Sequence, residues 1–173
     1  FATDGTPNQV LSVPFHKATP QKPVNAIKTS PGLNYTWYEG EWKSIPDMTR
    51  LKPAGSGVTT QWDVRKAIKK DHHFAVTYTG YLKVSQDAFY EFYLLSDDGT
   101  RITISNKSVI DLNVHCGHDP WRAEGSIALK AGLHPLKVEY YQDIHRSRLQ
   151  LKYRTEDGKH EPVPAEMFVH AKQ

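Results

Sequence analysis

Apolar and polar residues alternate over short stretches along most of the chain, which is the pattern of half-buried β-strands. Most stretches end at a turn signal such as Asp-Gly or Ala-Gly, because glycine adopts positive φ angles freely. Strands are predicted at residues 33–40, 74–82, 89–95, 101–105, 125–129, 136–140 and 148–153, with a further one starting at 109. Single helical turns are predicted within 47–51 and 162–168. This pattern predicts an all-β fold, an antiparallel sandwich or barrel with little helix.

The first 31 residues differ from the rest. They contain five prolines separated by polar residues, and no apolar period is sustained. That composition is typical of an extended segment, so residues 1–31 are predicted to be an extended N-terminal leader, either a linker or the tail of a preceding domain. Residues 32–173 are predicted to form one β-domain.

Composition and charge narrow the function classes. The net charge is +3 and no run of basic residues is longer than Lys69-Lys70, so we expect no nucleic-acid partner. No apolar run approaches the ~20 residues of a membrane span. The single cysteine, Cys116, excludes an internal disulfide and leaves the compartment open. Because the chain begins at Phe1, we expect it to be a piece of a longer protein.

Two adjacent carboxylates, Asp97 and Asp98, follow the strand predicted at 89–95. Carboxylate oxygens are hard ligands that suit Ca²⁺. The alternative is purely structural: Asp97 caps the turn, Asp98 pairs with Arg101, and no metal binds.

Other residues offer weaker chemistry. His115, Cys116 and His118 could begin a zinc site, but no second cysteine or spaced histidine pair completes it, so a polar surface loop is favoured. The four tryptophans are candidate sugar platforms. Trp121 follows Asp119-Pro120 in a loop and is predicted to be exposed, whereas Trp37 lies in a strand and is predicted to be buried.

Catalysis is not supported by the residues. A glycosidase needs two carboxylates about 5 to 10 Å apart across a cleft. Glu39 and Glu41 are more simply read as a solvated strand end, and no hydrolase, phosphate-binding or zinc-peptidase motif is present. A β/α barrel typically needs about 250 residues. The chain is therefore predicted not to be an enzyme.

The segment Ser96-Asp97-Asp98-Gly99, followed by Arg-Ile-x-Ile, a short turn and Val109-Ile110-Asp111, resembles the protective-antigen fourteen-kilodalton (PA-fourteen) family. The late segment from Gly125 to Tyr140 is similar to a hairpin of that family, and the resemblance runs from about Pro31 to Phe168. It implies a β-sandwich. One departure is the turn Ser105-Asn106-Lys107-Ser108, which replaces the family's usual Asp-Gly-Lys.

The resemblance also implies a function. The family occurs in bacterial toxins, glycosidases and fungal adhesins, and members of this type often follow the catalytic domain of secreted bacterial glycoside hydrolases such as β-N-acetylhexosaminidases. The chain is therefore expected to be a non-catalytic, extracytoplasmic module. It would bind or position a glycan for the catalytic domain of its parent chain. The alternatives are a structural spacer or protein-interaction module without a small ligand, and a cell-surface adhesin module.

In fungal lectins of the family, an Asp-Asp pair joined by a cis peptide binds calcium, and the calcium binds sugar hydroxyls. The resemblance carries this role onto Asp97 and Asp98, with Asn113 as a loose counterpart of an asparagine that assists from a neighbouring loop. His115 and Trp121 would then shape the sugar pocket.

Overall fold

The computed structural model describes residues 19–25, 27–60, 68–115, 120–144, 147–156 and 158–172. Within them, twelve strands are numbered in chain order: β1 (Thr29–Pro31), β2 (Leu33–Glu39), β3 (Gly55–Thr59), β4 (Phe74–Val84), β5 (Ala88–Asp97), β6 (Thr100–Ile104), β7 (Lys107–Leu112), β8 (Trp121–Leu129), β9 (Gly132–Gln142), β10 (Arg148–Thr155), β11 (Glu161–Pro162) and β12 (Phe168–Ala171).

The described strands form two sheets, and every pairing between them is antiparallel. The eight-stranded sheet has the order β1-β12-β4-β9-β6-β7, and β2 joins it through β4 and carries β3 on its other side. The four-stranded sheet has the order β11-β10-β5-β8. The predicted antiparallel β-sandwich is therefore confirmed.

The main core lies between the sheets and comes from the inward positions of the alternating strands. Along β5, for example, Tyr90, Phe92 and Leu94 are buried, whereas Phe89 is exposed. Fully burying one such side chain stabilises the fold by about 1.5–3 kcal/mol. Members with essentially no exposed surface include Phe74, Val76, Leu94, Ile102, Leu129, Val138 and Tyr140.

A second, smaller apolar cluster lies on the outer face of the larger sheet. Ala75 and Tyr141 are cross-strand partners on that face, and both are fully buried. Met48 covers them from the loop that follows β2. This loop contains the 3₁₀ turn Met48–Arg50, which confirms the helical turn predicted at 47–51, and Asp47 caps the turn by accepting from the Thr49 N–H at 3.1 Å. The loop is thereby held beside the end of β9.

Two further local predictions can be compared with the structure. The second predicted helical turn is present as a 3₁₀ turn at Ala165–Met167. The hairpin between β6 and β7 turns at Ser105 and Asn106, with φ angles of 49° and 60°, within the segment 105–108 that the sequence marks as a turn. Two consecutive positive φ angles match the right-handed twist of the flanking strands. Asparagine tolerates this conformation better than most residues, so the turn forms without glycine.

The described end of the predicted leader contacts the sandwich. Strand β1 pairs with β12 and so adds a strand to the edge of the larger sheet. Before it, the Gln21 N–H donates to the Ala128 carbonyl at 2.8 Å, and the Val24 N–H donates to the Leu133 carbonyl at 2.9 Å. Residues 1–18 lie outside the described part of the chain. Among the described residues, no helix is long and apolar enough to cross a membrane.

Gly125 of β8 lies close to Val109 and Ile110 of β7. A Cβ atom added at Gly125 would lie 1.9 Å from the Val109 carbonyl oxygen and 2.9 Å from Cγ1 of Ile110. Neither neighbour is the free end of a flexible side chain, so the backbone would have to move. Glycine is therefore required here for close approach rather than for an unusual φ angle.

We predict that Gly125→Ala lowers the free energy of unfolding by about 2–3 kcal/mol, because overpacking a well-packed contact forces the backbone apart. Urea unfolding followed by tryptophan fluorescence measures the change. Ser126→Ala, at the exposed neighbouring position, is the control and should stay within about 0.5 kcal/mol of the parent. Equal midpoints for the two variants would show that the strands can separate at no cost.

Candidate cation and glycan site

The aspartate pair lies where the chain crosses from one sheet to the other. Asp97 is the last residue of β5 in the smaller sheet, and Thr100 begins β6 in the larger sheet. The peptide bond between Asp97 and Asp98 is cis. Both side chains are in the interior, since Asp97 is 7% and Asp98 0% exposed. The crossing therefore places two carboxylates at one end of the sandwich, below its surface.

A buried polar network holds the crossing in place. The Ser96 hydroxyl donates to the Asp98 carbonyl at 2.7 Å and lies 2.6 Å from the Thr100 hydroxyl. The Tyr141 N–H donates to the Gly99 carbonyl at 3.1 Å and so ties the crossing to β9. Buried polar groups cost free energy unless they are hydrogen-bonded, so these contacts favour one conformation of the turn.

The buried hydroxyl of Tyr140 makes hydrogen bonds next to the aspartate pair. Its hydroxyl donates to the Asp97 carbonyl and also contacts Oε1 of Gln142. Burial raises the pKa of the Tyr140 hydroxyl well above its usual value, and the nearby carboxylates of Asp97 and Asp98 raise it further. Tyr140 therefore remains a protonated donor beneath the pair at neutral pH.

A third carboxylate, Asp143, was missed by the sequence reasoning. It follows β9 and is 2% exposed. Its backbone N–H donates to Oδ2 of Asp98 at 3.0 Å, and its own Oδ2 accepts from Nζ of Lys43 at 2.5 Å. Thr100 pairs with Tyr140 across β6 and β9, so the residues just before β6 and just after β9 lie side by side. Only that register brings Asp143 to Asp98.

Two histidines face the carboxylates. Nδ1 of His115 lies 3.5 Å from Oδ1 of Asp98 and 3.8 Å from Oδ2 of Asp143. Nε2 of His73 lies 4.0 Å from Oδ1 of Asp143, and its Nδ1 lies 3.5 Å from Oε1 of Glu41. The imidazole of His115 therefore lies beside both Asp98 and Asp143.

The oxygen donors have the right chemistry for calcium, because Ca²⁺ prefers carboxylate and carbonyl oxygens in a flexible arrangement. Burial also favours a cation, since a buried carboxylate is costly without a positive partner. However, the described part of the chain contains no group of three or more His, Cys, Asp or Glu side chains arranged to hold a metal. The ammonium group of Lys43 is already in contact with Asp143. The oxygen atoms of these aspartates therefore suit calcium by their chemistry, but the described residues do not supply a three-side-chain ligand set, and Lys43 contacts Asp143.

The remaining predicted residues fall in different places. Oδ1 of Asn113 accepts from the Ile45 N–H at 2.7 Å and so ties the segment after β7 to the loop after β2. Trp121 begins β8 as the cross-strand partner of Ser96. It is 52% exposed, in agreement with the prediction that it lies at the surface. Residues 116–119, including the candidate zinc ligands Cys116 and His118, lie outside the described residues, as does Trp62.

Arg101 forms ion pairs with Asp111 at 3.1 Å and with Glu139 at 3.6 Å, so the predicted pairing of Asp98 with Arg101 is wrong. The strand register explains this, because Arg101 is the direct partner of both residues.

Trp37 and Glu39 both lie near Lys70. Trp37 is half-buried against the core rather than fully buried, with Nζ of Lys70 lying 5.9 Å from its ring centroid. Glu39 also pairs with Lys70, at 2.8 Å, and 59% of the Glu39 side chain is exposed, as expected for a solvated strand end.

Comparison with known proteins identifies the class. The PA14 domain family model matches residues 29–167, and the chain therefore belongs to the PA14 domain family. The resemblance drawn from residues 96–111 is confirmed by this match.

The chain is similar to an anti-sigma factor and to two adhesin domains. The chain is 26% identical over 149 residues to the anti-sigma-I factor RsgI3 of Acetivibrio thermocellus, a match that covers 79% of this chain and 21% of that protein. The chain thus spans about a fifth of the length of this relative. A PA14 sugar-binding domain from an RTX adhesin has a TM-score of 0.66 at 17% identity, covering 82% of this chain and 99% of that one. The Epithelial Adhesin 9 A domain of Candida glabrata, solved with Galβ1-3GlcNAc, has a TM-score of 0.66 at 13% identity, covering 90% and 97%. At these identities, the two structures show a shared fold.

We predict that Tyr140→Phe flattens the loss of stability at alkaline pH. The folded protein raises the pKa of Tyr140 above 10.0, so the stability that this group contributes is present below pH 10 and is lost as the pH rises further. The parent should lose about 1.4 kcal/mol more per pH unit above pH 10 than the variant. Urea unfolding at pH values from 9 to about 11 measures the difference.

The same variant should be less stable than the parent at pH 7, because the Asp97 carbonyl and Gln142 lose their buried donor, at a cost of about 1–3 kcal/mol. Tyr93→Phe, at a half-buried position of β5, is the control for tyrosines elsewhere. Parallel alkaline profiles for the parent and Tyr140→Phe would contradict the assignment.

Proposed function

We propose that the chain is a non-catalytic carbohydrate-binding module whose site is built around a calcium ion. The observation that carries this proposal is the buried aspartate pair at the end of the sandwich, where the Asp143 N–H donates to the Asp98 carboxylate and the exposed Trp121 lies opposite Ser96. Support also comes from adhesin domains of the same fold, one of them a sugar-binding domain and another solved with a galactoside.

Each residue has a distinct role in the proposal. Asp97 and Asp98 would hold the calcium ion, and the Asp143 N–H fixes the Asp98 carboxylate from the end of β9. Asn113 stays a further candidate ligand from the segment after β7. A bound calcium supplies coordination for sugar hydroxyls, and the protein residues fix its position. The network of Ser96, Thr100 and Tyr140 keeps the aspartate pair in one arrangement before any ligand arrives.

Trp121 and His115 form the rim. An exposed indole offers a flat apolar face, which suits the apolar face of a pyranose ring. Trp121 pairs with Ser96 in the smaller sheet, and Ser96 directly precedes the aspartate pair. His115 adds an imidazole that can exchange hydrogen bonds with hydroxyl groups.

Two kinds of parent protein are consistent with such a module. In the first, it is appended to an extracytoplasmic glycoside hydrolase, such as a β-N-acetylhexosaminidase, and holds the glycan for the catalytic domain. In the second, favoured by the match to an anti-sigma-I factor, it belongs to a regulatory protein and the glycan is a signal. A structural spacer without ligand is the competing role, and it predicts no response to calcium.

We predict that calcium raises the melting temperature of the chain and that Asp98→Asn abolishes the rise. A ligand at ~100 times its dissociation constant adds about 2.7 kcal/mol to the stability of the folded state. Thermal melts in calcium and in EDTA measure the effect. Asp111→Asn is the matched control, because Asp111 is an exposed aspartate paired with Arg101 outside the site, and this variant should respond to calcium like the parent.

We also predict that Trp121→Ala weakens galactoside binding in calcium by about tenfold or more, which corresponds to about 1.4 kcal/mol. Lactose and Galβ1-3GlcNAc are the first probes, with affinity measured by calorimetry. Phe89→Ala is the control, because Phe89 is 41% exposed but lies at the opposite end of β5. If both variants bind like the parent, Trp121 is not part of the sugar site.

A further inference from the structure

The end of the sandwich opposite the aspartate pair carries two neighbouring tyrosines. Tyr90 lies near the start of β5, whereas Asp97 ends that strand, so the two residues are about 23 Å apart along it. Tyr153 of β10 is the diagonal neighbour of Tyr90, because β10 pairs with β5 in antiparallel register with Tyr153 opposite Phe92. The rings of Tyr90 and Tyr153 have centroids 6.3 Å apart and planes only 16° from parallel. An aromatic pair therefore belongs to the core at this end of the sandwich.

A cavity of about 340 Å³ lies against this pair, and the end of β4, the turn into β5 and the segment 164–167 also line it. Its volume falls within the range typical of small-ligand sites. The Tyr90 hydroxyl donates to the Gln86 carbonyl at 3.0 Å, which ties the turn to the ring. On the other side, Met167 packs against the core, and its N–H donates to the Pro164 carbonyl at 3.0 Å. The walls of the cavity are therefore held by contacts within the fold.

Two side chains of opposite charge line the same cavity. Lys83 comes from the end of β4, and Glu166 comes from the 3₁₀ turn Ala165–Met167. Both residues are exposed, so a ligand can reach them. A lysine ammonium group supplies three hydrogen-bond donors, and a carboxylate accepts hydrogen bonds through both oxygen atoms. Lys83 and Glu166 also line an adjoining cavity of about 520 Å³, so they stand between the two spaces.

This lining favours one class of ligand. A small anion would be attracted by Lys83 but repelled by Glu166, and the signs are reversed for a small cation, so neither is favoured. An apolar ligand would pack on the tyrosines but would displace water from the charged groups without replacing its hydrogen bonds. A neutral sugar ring avoids both costs, because its apolar face packs on an aromatic ring and its hydroxyl groups donate and accept hydrogen bonds. The cavity therefore suits a neutral pyranose.

We propose that this cavity, the tyrosine-end subsite, binds a neutral sugar unit of a glycan without a metal ion. Tyr153 offers a half-buried ring, and Lys83 and Glu166 bond to the sugar hydroxyl groups. The adjoining cavity has room for the next unit of the glycan. Together with the proposed site at Asp97 and Asp98, this subsite lets the module hold a glycan-rich surface at two points, and linked weak contacts strengthen each other. The existence of the subsite rests on the cavity alone.

The test records amide proton–nitrogen correlation spectra in EDTA while neutral disaccharides are added at millimolar concentration. The probes are lactose, cellobiose, xylobiose and N,N′-diacetylchitobiose. We expect at least one probe to shift the amide signals of residues 83–86 and 165–167, while the signals of Asp97 and Asp98 stay in place. Lys83→Ala and Glu166→Ala should each weaken this binding by about threefold to tenfold, because each removes one hydrogen-bonding group.

The two cavity variants alter exposed residues, so both are expected to fold like the parent. Lys152→Ala and Glu124→Ala are the matched controls, because both residues are exposed on the smaller sheet and neither lines the cavity. The control variants should bind the probes with the affinity of the parent.

The outcomes separate this inference from the proposed function. If a probe shifts residues 83–86 and 165–167 in EDTA and both cavity variants weaken its binding, the subsite is supported, even if calcium changes nothing at Asp97 and Asp98. If the probes bind only in calcium and shift only the aspartate pair, the subsite is refuted and the proposed function stands. If binding in EDTA is the same in the parent and both cavity variants, the subsite is refuted. If no probe binds in either buffer, both are refuted.

Discussion

The structure depends on how the chain passes from one sheet to the other between β5 and β6. Two strands in different layers are joined there by only Asp98 and Gly99, so the polar groups of the crossing are pressed into the interior. Interior polar groups require partners, and Ser96, Thr100 and Tyr140 supply them. The same contacts that make the crossing possible also fix the carboxylates in space. The hydrogen bonds that stabilise the crossing therefore also position the candidate ligands.

Much of the fold was predictable from sequence, because long strands such as β4, β5 and β9 carry their own alternation. The short strands were not. Strand β3 lies in a stretch with two glycines, outside the strands predicted from sequence, and it forms by pairing with β2. Strand β1 lies in the proline-containing leader and forms by pairing with β12. The conformation of such segments depends on the strand with which they pair, and their own sequence pattern does not indicate which strand that is.

The site divides in the same way. Asp97, Asp98, His115 and Trp121 could be named from sequence because a motif or a loop position marks them. Asp143 and Lys43 could not, since each is an ordinary polar residue until the β6–β9 register and the loop after β2 bring them together. The amide of Asn113 was plausible by position, but its oxygen accepts from Ile45. Long-range pairing, rather than residue type, decides which side chains meet.

The pairing of β1 with β12 has a consequence for how the domain is mounted. The first and last described strands lie side by side near Leu82 at one end of β4, whereas Phe74 at its other end pairs with Gln142, next to Asp143. A domain with this geometry is compatible with insertion into a longer protein, because the two flanking segments can stay close together. The aspartate pair lies at the opposite end of β4 from the paired strands β1 and β12, so the site and the first and last described strands do not compete for the same surface.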